Sequence, residues 1–290
     1  MDIMRTRSAL DQLKRIWSDA GVIPDGARWA ALAGGRTNPI WKVDLDAQTT
    51  LVCKLFTLNS ATPLFANDGT REALALRALS GTQIAPELVA FQDSRLGESI
   101  VYKHISGAFW RGDVTMVAKL MARLHQHPLP EGLPHMTVTP ASLIANGRAM
   151  AVAGQNGPPP PPAAPDLPPA RRAFLHGDIV PGNILETRDG CRLIDWQCPA
   201  IGDPSADIAM FLSPAMQVLY GHRALSADEI EKFLLAYERE SRDSISISRY
   251  RALAPLFQWR MATYCQWKSA LGDHDYAHVV ALEMAALEQA

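Results

Sequence analysis

The chain has 290 residues, of which 48% are hydrophobic and 20% charged, a composition typical of a soluble globular protein. Its formal net charge of −2 excludes a strongly basic protein drawn to nucleic acid or anionic membranes. The sequence lacks an apolar run of eighteen residues and an apolar N-terminal core, so we expect neither a membrane span nor a signal peptide. The four cysteines lack CxxC spacing, which favours reduced thiols in a cytoplasmic protein.

The N-terminal third of the sequence predicts a small antiparallel sheet with one main helix. Apolar residues at helical spacing predict a short amphipathic helix over residues 8–17. Apolar and β-branched segments bounded by turn residues predict four strands, at 40–45, 51–56, 88–91 and 99–102. A strongly helix-forming sequence over 70–79 follows the first two strands.

A glycine pair, Gly34 and Gly35, precedes the first predicted strand and is followed by Thr37 and Asn38. Glycines that open a hairpin let backbone N–H groups approach a phosphate closely, although most such pairs are simple turns. The sequence is not a Walker A motif, because no Lys-Ser or Lys-Thr follows at the required distance. These residues are therefore candidate nucleotide contacts.

Lys54 interrupts an otherwise apolar strand, and Glu72 lies in the first turn of the next predicted helix. Each has an ordinary interpretation, the lysine as an outward-facing strand residue and the glutamate as a partner of the helix dipole. Kinases instead pair a strand lysine with a glutamate on the next helix, which aims the ammonium at the nucleotide phosphates. Together with the downstream motif described below, this pairing is the favoured interpretation.

The chain leaves the predicted sheet after Tyr102, and the pattern turns helical from Asp113. We therefore predict an N-terminal lobe at 1–103 and a mainly helical C-terminal lobe at 104–290. The linker between them is where an adenine would find backbone donors and acceptors, so Tyr102 and His104 are candidate nucleotide contacts.

Residues 155–170 include eight prolines and cannot form a regular helix or a central strand. The extended polyproline form is expected there. We interpret this segment as a connector within the C-terminal lobe, with a ligand for a proline-recognising partner as the alternative.

The segment from His176 to Asn183 has the form H-x-D-x-x-x-x-N, with Asp178 as its central carboxylate, and Asp195 follows at the end of an apolar run. Phosphoryl transfer to a hydroxyl uses this set: one carboxylate accepts the hydroxyl proton, while an amide oxygen and another carboxylate hold Mg²⁺ on the nucleotide phosphates. A predicted hairpin over 184–194 returns the chain, so Asn183 and Asp195 can share one metal site.

Two further carboxylates, Asp203 and Asp207, follow the hairpin at the start of a predicted helix. Both could be helix-start caps. Asp207, four residues further along, could instead anchor the backbone of the 176–183 loop.

The remainder of the sequence predicts helices, the first of which begins with a capping box formed by Ser226 and Glu229. Two more are predicted over 251–271 and 276–287. Most of the aromatic residues at 251–271 should be core. Three of them could instead wall a pocket for a cationic substrate through cation–π contacts: Trp259, Tyr264 and Trp267.

Taken together, these motifs resemble the aminoglycoside phosphotransferase and choline kinase family, which shares a protein-kinase-like fold. The segments that carry the resemblance are 34–38, Lys54, Glu72, 122–125, 176–183, 194–196 and 202–207. The resemblance implies an α+β, bilobed molecule with a small antiparallel sheet and one main helix in the N-lobe and a larger, mostly helical C-lobe.

The resemblance also implies a role for each motif. Asp178 would be the catalytic base, Asn183 and Asp195 the Mg²⁺ ligands, and Lys54, held by Glu72, the lysine on the phosphates of ATP. The nucleotide could also be GTP.

Two other residues would be structural by the same resemblance. His176 would pack the catalytic loop, and Asp207 would anchor it. Trp196 stands where protein kinases have the Phe of D-F-G, and no A-P-E element follows, which argues against a protein substrate.

The implied activity is transfer of the γ-phosphoryl group of ATP to an alcohol on a small molecule. The aromatic stripe and the acidic residues suggest a small cationic amino alcohol such as choline, ethanolamine or thiamine; those acidic residues are Asp203, Asp228, Glu229 and Glu283. Aminoglycosides are the main alternative, and homoserine or a sugar-like acceptor stays open.

Two other classes also stay open: a catalytically silent nucleotide-binding protein of this fold, and a metal-dependent phosphohydrolase built on the same His and Asp residues. We expect no nucleic-acid or membrane partner, and the sequence does not indicate a protein partner.

Overall fold

The structure is a computed structural model that describes residues 3–32, 37–58, 60–151 and 159–289, with side chains from Ser8 onward. Its N-terminal elements are α1 Ile3–Asp19, β1 Arg28–Ala31, β2 Ile40–Asp44, β3 Thr50–Leu55, α2 Gly69–Ala78, β4 Leu88–Ser94 and β5 Gly97–Lys103. The strands form one antiparallel sheet in the order β1-β2-β3-β5-β4. All four predicted strands are present; β1 was not predicted, because three of its four residues are exposed and its pattern does not alternate.

The two N-terminal helices are positioned by apolar contacts and by capping. Leu13 and Trp17 of α1 are fully buried in a cluster with Trp41 of β2. The helix α2 begins after Asp68, whose side chain accepts a hydrogen bond from the N–H of Arg71 at 2.9 Å. This cap fixes the start of α2 and so places its first turn beside β3.

The C-terminal portion is mainly helical, with short strands around one loop. Its elements are β6 Ala108–Phe109, α3 Val114–His125, α4 Pro140–Met150, β7 Ala173–Leu175, β8 Ile184–Thr187, β9 Gly190–Leu193, β10 Ala200–Gly202, α5 Ser205–Leu212, α6 Pro214–Leu219, α7 Ala227–Ser241, α8 Ser244–Ala270 and α9 Val280–Gln289. A 3-10 turn, His274–His278, precedes α9 where a continuous helix was predicted. No helix among the described residues is both long and apolar enough to cross a membrane.

Two differences from the predicted helices have local causes. The helix α8 starts at Ser244, seven residues before the predicted start, because the side chain of Asp243 caps it by accepting from Ser246 N at 3.0 Å. The helix α4 was not predicted, since only Leu143, Gly147 and Met150 of its residues are buried and the apolar pattern is sparse.

The described part of the proline-rich segment, residues 159–170, packs onto the body of the protein. The indole N–H of Trp259 donates to Pro159 O at 2.7 Å, and the Arg249 guanidinium donates to Pro168 O. Leu167 lies against the buried cluster that includes Leu253 and Phe257. These contacts agree with a connector inside the C-terminal portion.

One buried apolar cluster joins the sheet to the helices. It includes Val52 and Ile100 from the sheet, Leu124 from α3, and Phe211 and Tyr237 from α5 and α7. The predicted lobe division at 103/104 falls directly after β5, and the expected fold class, a small antiparallel sheet followed by a mainly helical portion, is confirmed.

Candidate active site

The loop from His176 to Asn183 lies between two paired elements. The strand β7 leads into it and pairs antiparallel with β10, with Leu175 opposite Ala200. A 3-10 turn over Pro181–Asn183 leads out into β8, which forms the predicted hairpin with β9 and places Ile184 opposite Leu193. The loop is therefore held at both ends by backbone pairing.

Asp207, in the first turn of α5, holds the start of this loop. Its two carboxylate oxygens accept hydrogen bonds from the N–H groups of His176 at 2.9 Å and Gly177 at 2.8 Å. His125 Nε2 lies 3.1 Å from the same carboxylate, and His125 Nδ1 lies 2.7 Å from Tyr237 Oη. Burial alone would raise the pKa of Asp207, but these hydrogen bonds lower it, so the carboxylate is ionised and fully bonded.

His176 is fully buried and links the loop to the segment that carries Asp195. Its Nδ1 accepts a hydrogen bond from Asp178 N at 3.2 Å, so its Nε2 carries the proton and donates to Ile194 O at 3.1 Å. Burial lowers the pKa of His176, which keeps the ring neutral. The ring packs edge-on against Trp196, with centroids 4.4 Å apart.

Gly177 is required by the path of the loop. Its φ of +81° is in the left-handed region, and an added Cβ would lie 2.2 Å from Cys198 O. The loop and the segment after Trp196 therefore approach each other at backbone contact distance.

Asp178 lies in the middle of the loop and is 7% exposed. Asn183 Nδ2 donates to Asp178 O at 2.9 Å and to Asp178 Oδ2 at 3.2 Å, which fixes the orientation of the carboxylate. Burial, with the nearby charge of Asp195, raises the pKa of Asp178 to about 8. A carboxyl group in this position can accept a proton from a hydroxyl when its ionised form is favoured, as a cation bound nearby would do.

Asn183 and Asp195 lie together at one end of the β8–β9 hairpin, where Ile194 N donates to Asn183 O at 3.0 Å. The amide nitrogen of Asn183 is used within the loop, while among the described residues no donor reaches its Oδ1. Asp195 has a φ of +64°, an uncommon conformation for a residue other than glycine.

These two oxygen ligands fit Mg²⁺, which binds one or two carboxylates together with substrate phosphates rather than a full cage of protein side chains. Within the described ranges no group of three or more His, Cys, Asp and Glu side chains could hold a metal. A divalent cation would therefore depend on Asn183, Asp195 and the ligands that a nucleotide brings.

Lys54 on β3 completes this cluster. Its ammonium lies 2.6 Å from Glu72 Oε2 on α2, so the expected ion pair forms, and it also contacts Asp195 Oδ1. Lys54 and Glu72 are each 1% exposed. Burial alone would lower the pKa of Lys54, but the two carboxylates raise it, so the cation is retained.

Four of the predicted nucleotide contacts that the structure describes lie just before β2 or around the end of β5: Thr37, Asn38, Tyr102 and His104. Gly34 and Gly35 fall outside the described residues. Thr37 is described and half-buried. Asn38 is buried, and its amide binds protein groups: Nδ2 donates to Gln197 Oε1 at 2.9 Å, and Oδ1 accepts from Thr57 N at 2.9 Å. The side chain of Asn38 is therefore used in hydrogen bonds within the protein rather than directed at a nucleotide.

The linker residues differ from one another. The ring of Tyr102 is buried in the apolar cluster that joins the sheet to the helices, so only its backbone could meet a nucleotide. His104 is half-buried, and its N–H donates to Thr50 O at 3.1 Å; burial lowers the pKa of its imidazole.

The residues predicted to contact the acceptor fall into two groups in the structure, and the first group has structural partners. Asp203 is buried, pairs with Arg249 Nε at 2.6 Å and accepts from Ser205 N at 3.0 Å, so its expected role toward a substrate is replaced by a structural one. Trp259 is also structural, because its ring lies against Gly147, where an added Cβ would come within 2.1 Å.

Tyr264 and Trp267, by contrast, pack against each other, with ring centroids 5.8 Å apart. Tyr264 belongs to the same buried cluster as Val180, two residues after Asp178. Sequence reasoning missed Phe65, whose ring meets Tyr264 edge-on at 5.3 Å. Phe65 stands in a polar, proline-containing connection that has no periodic pattern, so no local signal indicated it.

Among the acidic residues expected near a cationic acceptor, Glu229 forms the predicted capping box with Ser226 and pairs with Arg223 at 2.7 Å. Glu283 is buried and accepts hydrogen bonds from Ser213 Oγ and from Ala215 N at 3.1 Å. Both carboxylates are therefore bound to structural partners, and they do not form one acidic face with Asp203.

The fold and this site together define a small-molecule phosphotransferase. The chain belongs to the phosphotransferase enzyme family, whose model matches residues 28–255. No curated protein matches the sequence.

Solved structures show the same fold at low sequence identity. A choline kinase from Streptococcus pneumoniae is 15% identical with a TM-score of 0.66, covering 96% of this chain and 99% of that one. A macrolide 2′-phosphotransferase from Brachybacterium faecium is 17% identical with a TM-score of 0.54, covering 97% and 98%. An amicoumacin kinase in complex with AMP-PNP and Ca²⁺ is 10% identical with a TM-score of 0.62, covering 99% and 96%.

Proposed function

We propose that the protein transfers the γ-phosphoryl group of ATP, bound with Mg²⁺, to the hydroxyl of a small cationic amino alcohol. The observation that carries this proposal is one continuous chain of contacts at the active site. Lys54 contacts Asp195, the residue before Asp195 bonds Asn183, and Asn183 orients Asp178. A proton acceptor, two oxygen ligands and a fixed cation are the parts that phosphoryl transfer to an alcohol requires.

Asp178 is the proposed base. As the acceptor oxygen bonds to the γ-phosphorus, the bond from that phosphorus to the β–γ bridging oxygen breaks, ADP leaves, and the hydroxyl proton passes to the carboxylate of Asp178. Asn183 holds that carboxylate in one orientation through its Nδ2. Mg²⁺ held by Asn183 Oδ1 and Asp195 would neutralise the phosphates and lower the pKa of Asp178 toward its ionised form. Lys54 supplies a second, permanent positive charge.

The proposed acceptor class rests on the surroundings of Asp178. Tyr264 shares a buried cluster with Val180, two residues after Asp178, and Trp267 packs against that cluster. Aromatic rings near one carboxylate suit a single ammonium group. A polycationic aminoglycoside, the main alternative, would need several free carboxylates, and Asp203, Glu229 and Glu283 are bound to structural partners. Choline kinases are among the proteins with this fold.

The test is ADP release from ATP–Mg²⁺ by the purified full chain, with choline, ethanolamine, thiamine, homoserine and kanamycin as acceptors. We expect an amino alcohol to stimulate release, and Asp178→Asn to lower kcat by about 100- to 10,000-fold while ATP binding, measured by calorimetry, is retained. The matched control is Asp25→Asn, an exposed aspartate between α1 and β1, which should behave as the parent protein.

Other outcomes would select another class. ATP binding without stimulation by any acceptor would favour a silent nucleotide-binding protein. Full turnover in Asp178→Asn would remove Asp178 from the role of base, and acceptor-independent phosphate release that survives Lys54→Ala would favour a phosphohydrolase.

A further inference from the structure

The segment that follows the proposed metal ligand Asp195 is bonded to the N-terminal portion of the chain. Two residues after Asp195, Gln197 Oε1 accepts a hydrogen bond from Asn38 Nδ2 at 2.9 Å. The next residue, Cys198, donates from its Sγ to Ala66 O at 3.2 Å. Asn38 lies just before β2, and Ala66 lies in the connection between β3 and α2. Two of the three residues after Asp195 are therefore held from the side of the sheet.

The backbone of Asp195 depends on contacts on both of its sides. Its φ of +64° is in the left-handed region, which a residue other than glycine keeps only where the surrounding structure fixes it. Before Asp195, the β8–β9 hairpin ends with Ile194 N donating to Asn183 O at 3.0 Å. After it, Trp196 is fully buried, and its indole N–H donates to Leu193 O at 3.0 Å. The next fixed point along the chain is the side chain that Asn38 binds.

Asn38 is itself held rigidly for this contact. Asn38 and Gln197 are each buried. Asn38 Oδ1 accepts hydrogen bonds from Thr57 N at 2.9 Å and from Asn67 Nδ2 at 3.0 Å, and Asn38 Nδ2 also donates to Asn67 Oδ1 at 2.6 Å. Both amide hydrogens and the oxygen of Asn38 are thus used. The amide cannot turn without breaking several of these bonds, so it presents one N–H to Gln197 in a fixed direction.

We propose that Asn38 and Gln197 are positioning residues for Mg²⁺, because their hydrogen bond holds the backbone of Asp195 and thereby its carboxylate in place for the cation. This inference rests on the proposed function and adds two residues to its metal site. Residues that orient a metal ligand strengthen metal binding without touching the metal. Asn38 comes from the N-terminal portion and Asp195 from the C-terminal portion, so the affinity for Mg²⁺ depends on how the two portions pack together.

The test measures the Kd of AMP-PNP for the full chain by calorimetry, at a fixed concentration of free Mg²⁺ and again with EDTA. Gln197→Met keeps the length of the side chain and removes the hydrogen-bond acceptor. We expect it to weaken binding of AMP-PNP with Mg²⁺ by about 10-fold and to leave the Kd with EDTA unchanged. Gln197→Glu keeps an oxygen acceptor for Asn38 and should bind AMP-PNP with Mg²⁺ at least as tightly as the parent protein.

A double-mutant cycle tests whether Gln197 acts through Asn38. In an Asn38→Ala background, Gln197→Met should have no further effect on the Kd with Mg²⁺, because the same hydrogen bond is already lost. Thermal unfolding gives the folded fraction of each variant. If Asn38→Ala does not fold, the comparison of Gln197→Met with Gln197→Glu still decides the role of the bond.

The matched control is Gln126→Met, which makes the same chemical change within the helical portion. Gln126 Nε2 donates to Glu240 O at 3.2 Å and to Ser241 O at 3.1 Å, so its side chain joins the end of α3 to α7. Its loss should affect stability alone. The Kd of AMP-PNP should therefore equal that of the parent protein both with Mg²⁺ and with EDTA.

Two results would overturn the role of Gln197 while leaving the kinase chemistry intact. One is a folded Gln197→Met protein that binds AMP-PNP with Mg²⁺ as tightly as the parent. The other is an equal weakening with Mg²⁺ and with EDTA, which would indicate a general effect on the nucleotide site. A parent protein that binds AMP-PNP no more tightly with Mg²⁺ than with EDTA would instead overturn the metal site of the proposed function together with this inference.

Discussion

Two buried ion pairs in this protein have the same length and different surroundings. Lys54 and Glu72 are 2.6 Å apart and each 1% exposed; Arg249 and Asp203 are also 2.6 Å apart, with side chains 4% and 2% exposed. Lys54 contacts a further carboxylate, Asp195, whose side chain is 26% exposed. The pair of Lys54 and Glu72 is therefore connected to solvent through the partly exposed side chain of Asp195.

In the second pair, Arg249 and Asp203, the remaining hydrogen-bond donors are used within the protein. Arg249 also donates to Pro168 O and, at 3.1 Å, to Val138 O, so the guanidinium links α8 to two neighbouring segments. Burial and distance alone do not distinguish a functional ion pair from a structural one. What distinguishes them is whether the pair contacts a further, partly exposed carboxylate that a ligand can reach, as Lys54 does through Asp195.

The largest expected effect is on activity, in Lys54→Met. Loss of a fixed cation next to the phosphates should lower kcat/KM for ATP by about 100- to 1,000-fold, because charge that is positioned in advance stabilises the transition state. Steady-state ADP release, corrected for the folded fraction, measures the change. Lys42→Met on the neighbouring strand is the control, since Lys42 is 38% exposed and pairs only with Asp44 in the described part of the chain. Parent-like turnover in Lys54→Met would place both ion pairs in the structural class.

The next effect is on stability, in Arg249→Met. Removal of the cation leaves the Asp203 carboxylate buried without its partner, which should lower the free energy of unfolding by about 3–5 kcal/mol. The kcat of the folded enzyme should be unchanged, because Arg249 has no contact with the catalytic loop. Urea unfolding monitored by tryptophan fluorescence gives the free energy.

Its matched control is Arg251→Met, which removes an exposed pair with Glu231 and should cost about 0–1 kcal/mol. Equal costs for the two arginine variants would contradict the distinction between a closed buried pair and a surface pair.

The smallest effect concerns a buried carboxyl group with no cation partner. Burial raises the pKa of Glu283 to about 7, and within the described residues its Oε2 has no hydrogen-bond partner. Because the folded protein binds this proton more tightly than the unfolded chain, the contribution of Glu283 to stability should fall as pH rises from about 4.5 to 7, and then stay lower. Glu283→Gln removes this contribution and should be more stable than the parent at pH 8 by roughly 3 kcal/mol, with little difference at pH 4.5.

Thermal and urea unfolding at both pH values measure this difference. Glu288→Gln, an exposed change on the same helix, is the control. A Glu283→Gln variant that is equally destabilised at both pH values would show that the carboxyl group matters for its packing and not for its charge.

The sequence predicted local structure correctly where the contacting residues are close together in the chain. The capping box of α7 was predicted from the Ser-x-x-Glu spacing and is confirmed, with Ser226 N donating to Glu229 Oε2 at 2.8 Å. The hairpin after Asn183 was predicted from its turn and is confirmed by its strand pairing. Such features depend on a few neighbouring residues, so local patterns identify them.

The predictions were wrong where the partner of a side chain lies far away in the sequence. Asp203 was interpreted as one of the acidic residues that suggest a cationic acceptor, and its partner in the structure, Arg249, lies 46 residues away on α8. Trp259 was placed with Trp267 because the two are eight positions apart on one predicted helix, but the indole N–H of Trp259 donates to Pro159 O in the proline-rich segment. Spacing along a helix gives the face of a residue, and it does not say what packs on that face.

By itself, the sequence predicted phosphotransferase chemistry and the residues of its candidate site: Asp178, Asn183 and Asp195 follow from motif spacing and a short hairpin, since neighbouring residues constrain one another through the backbone. Only the tertiary structure decided what surrounds that chemistry. Asn38 meets Gln197 across 159 positions, and Phe65 meets Tyr264 because the sheet packs on the helices. Contacts between such distant residues depend on the packing of whole elements, which no local pattern records.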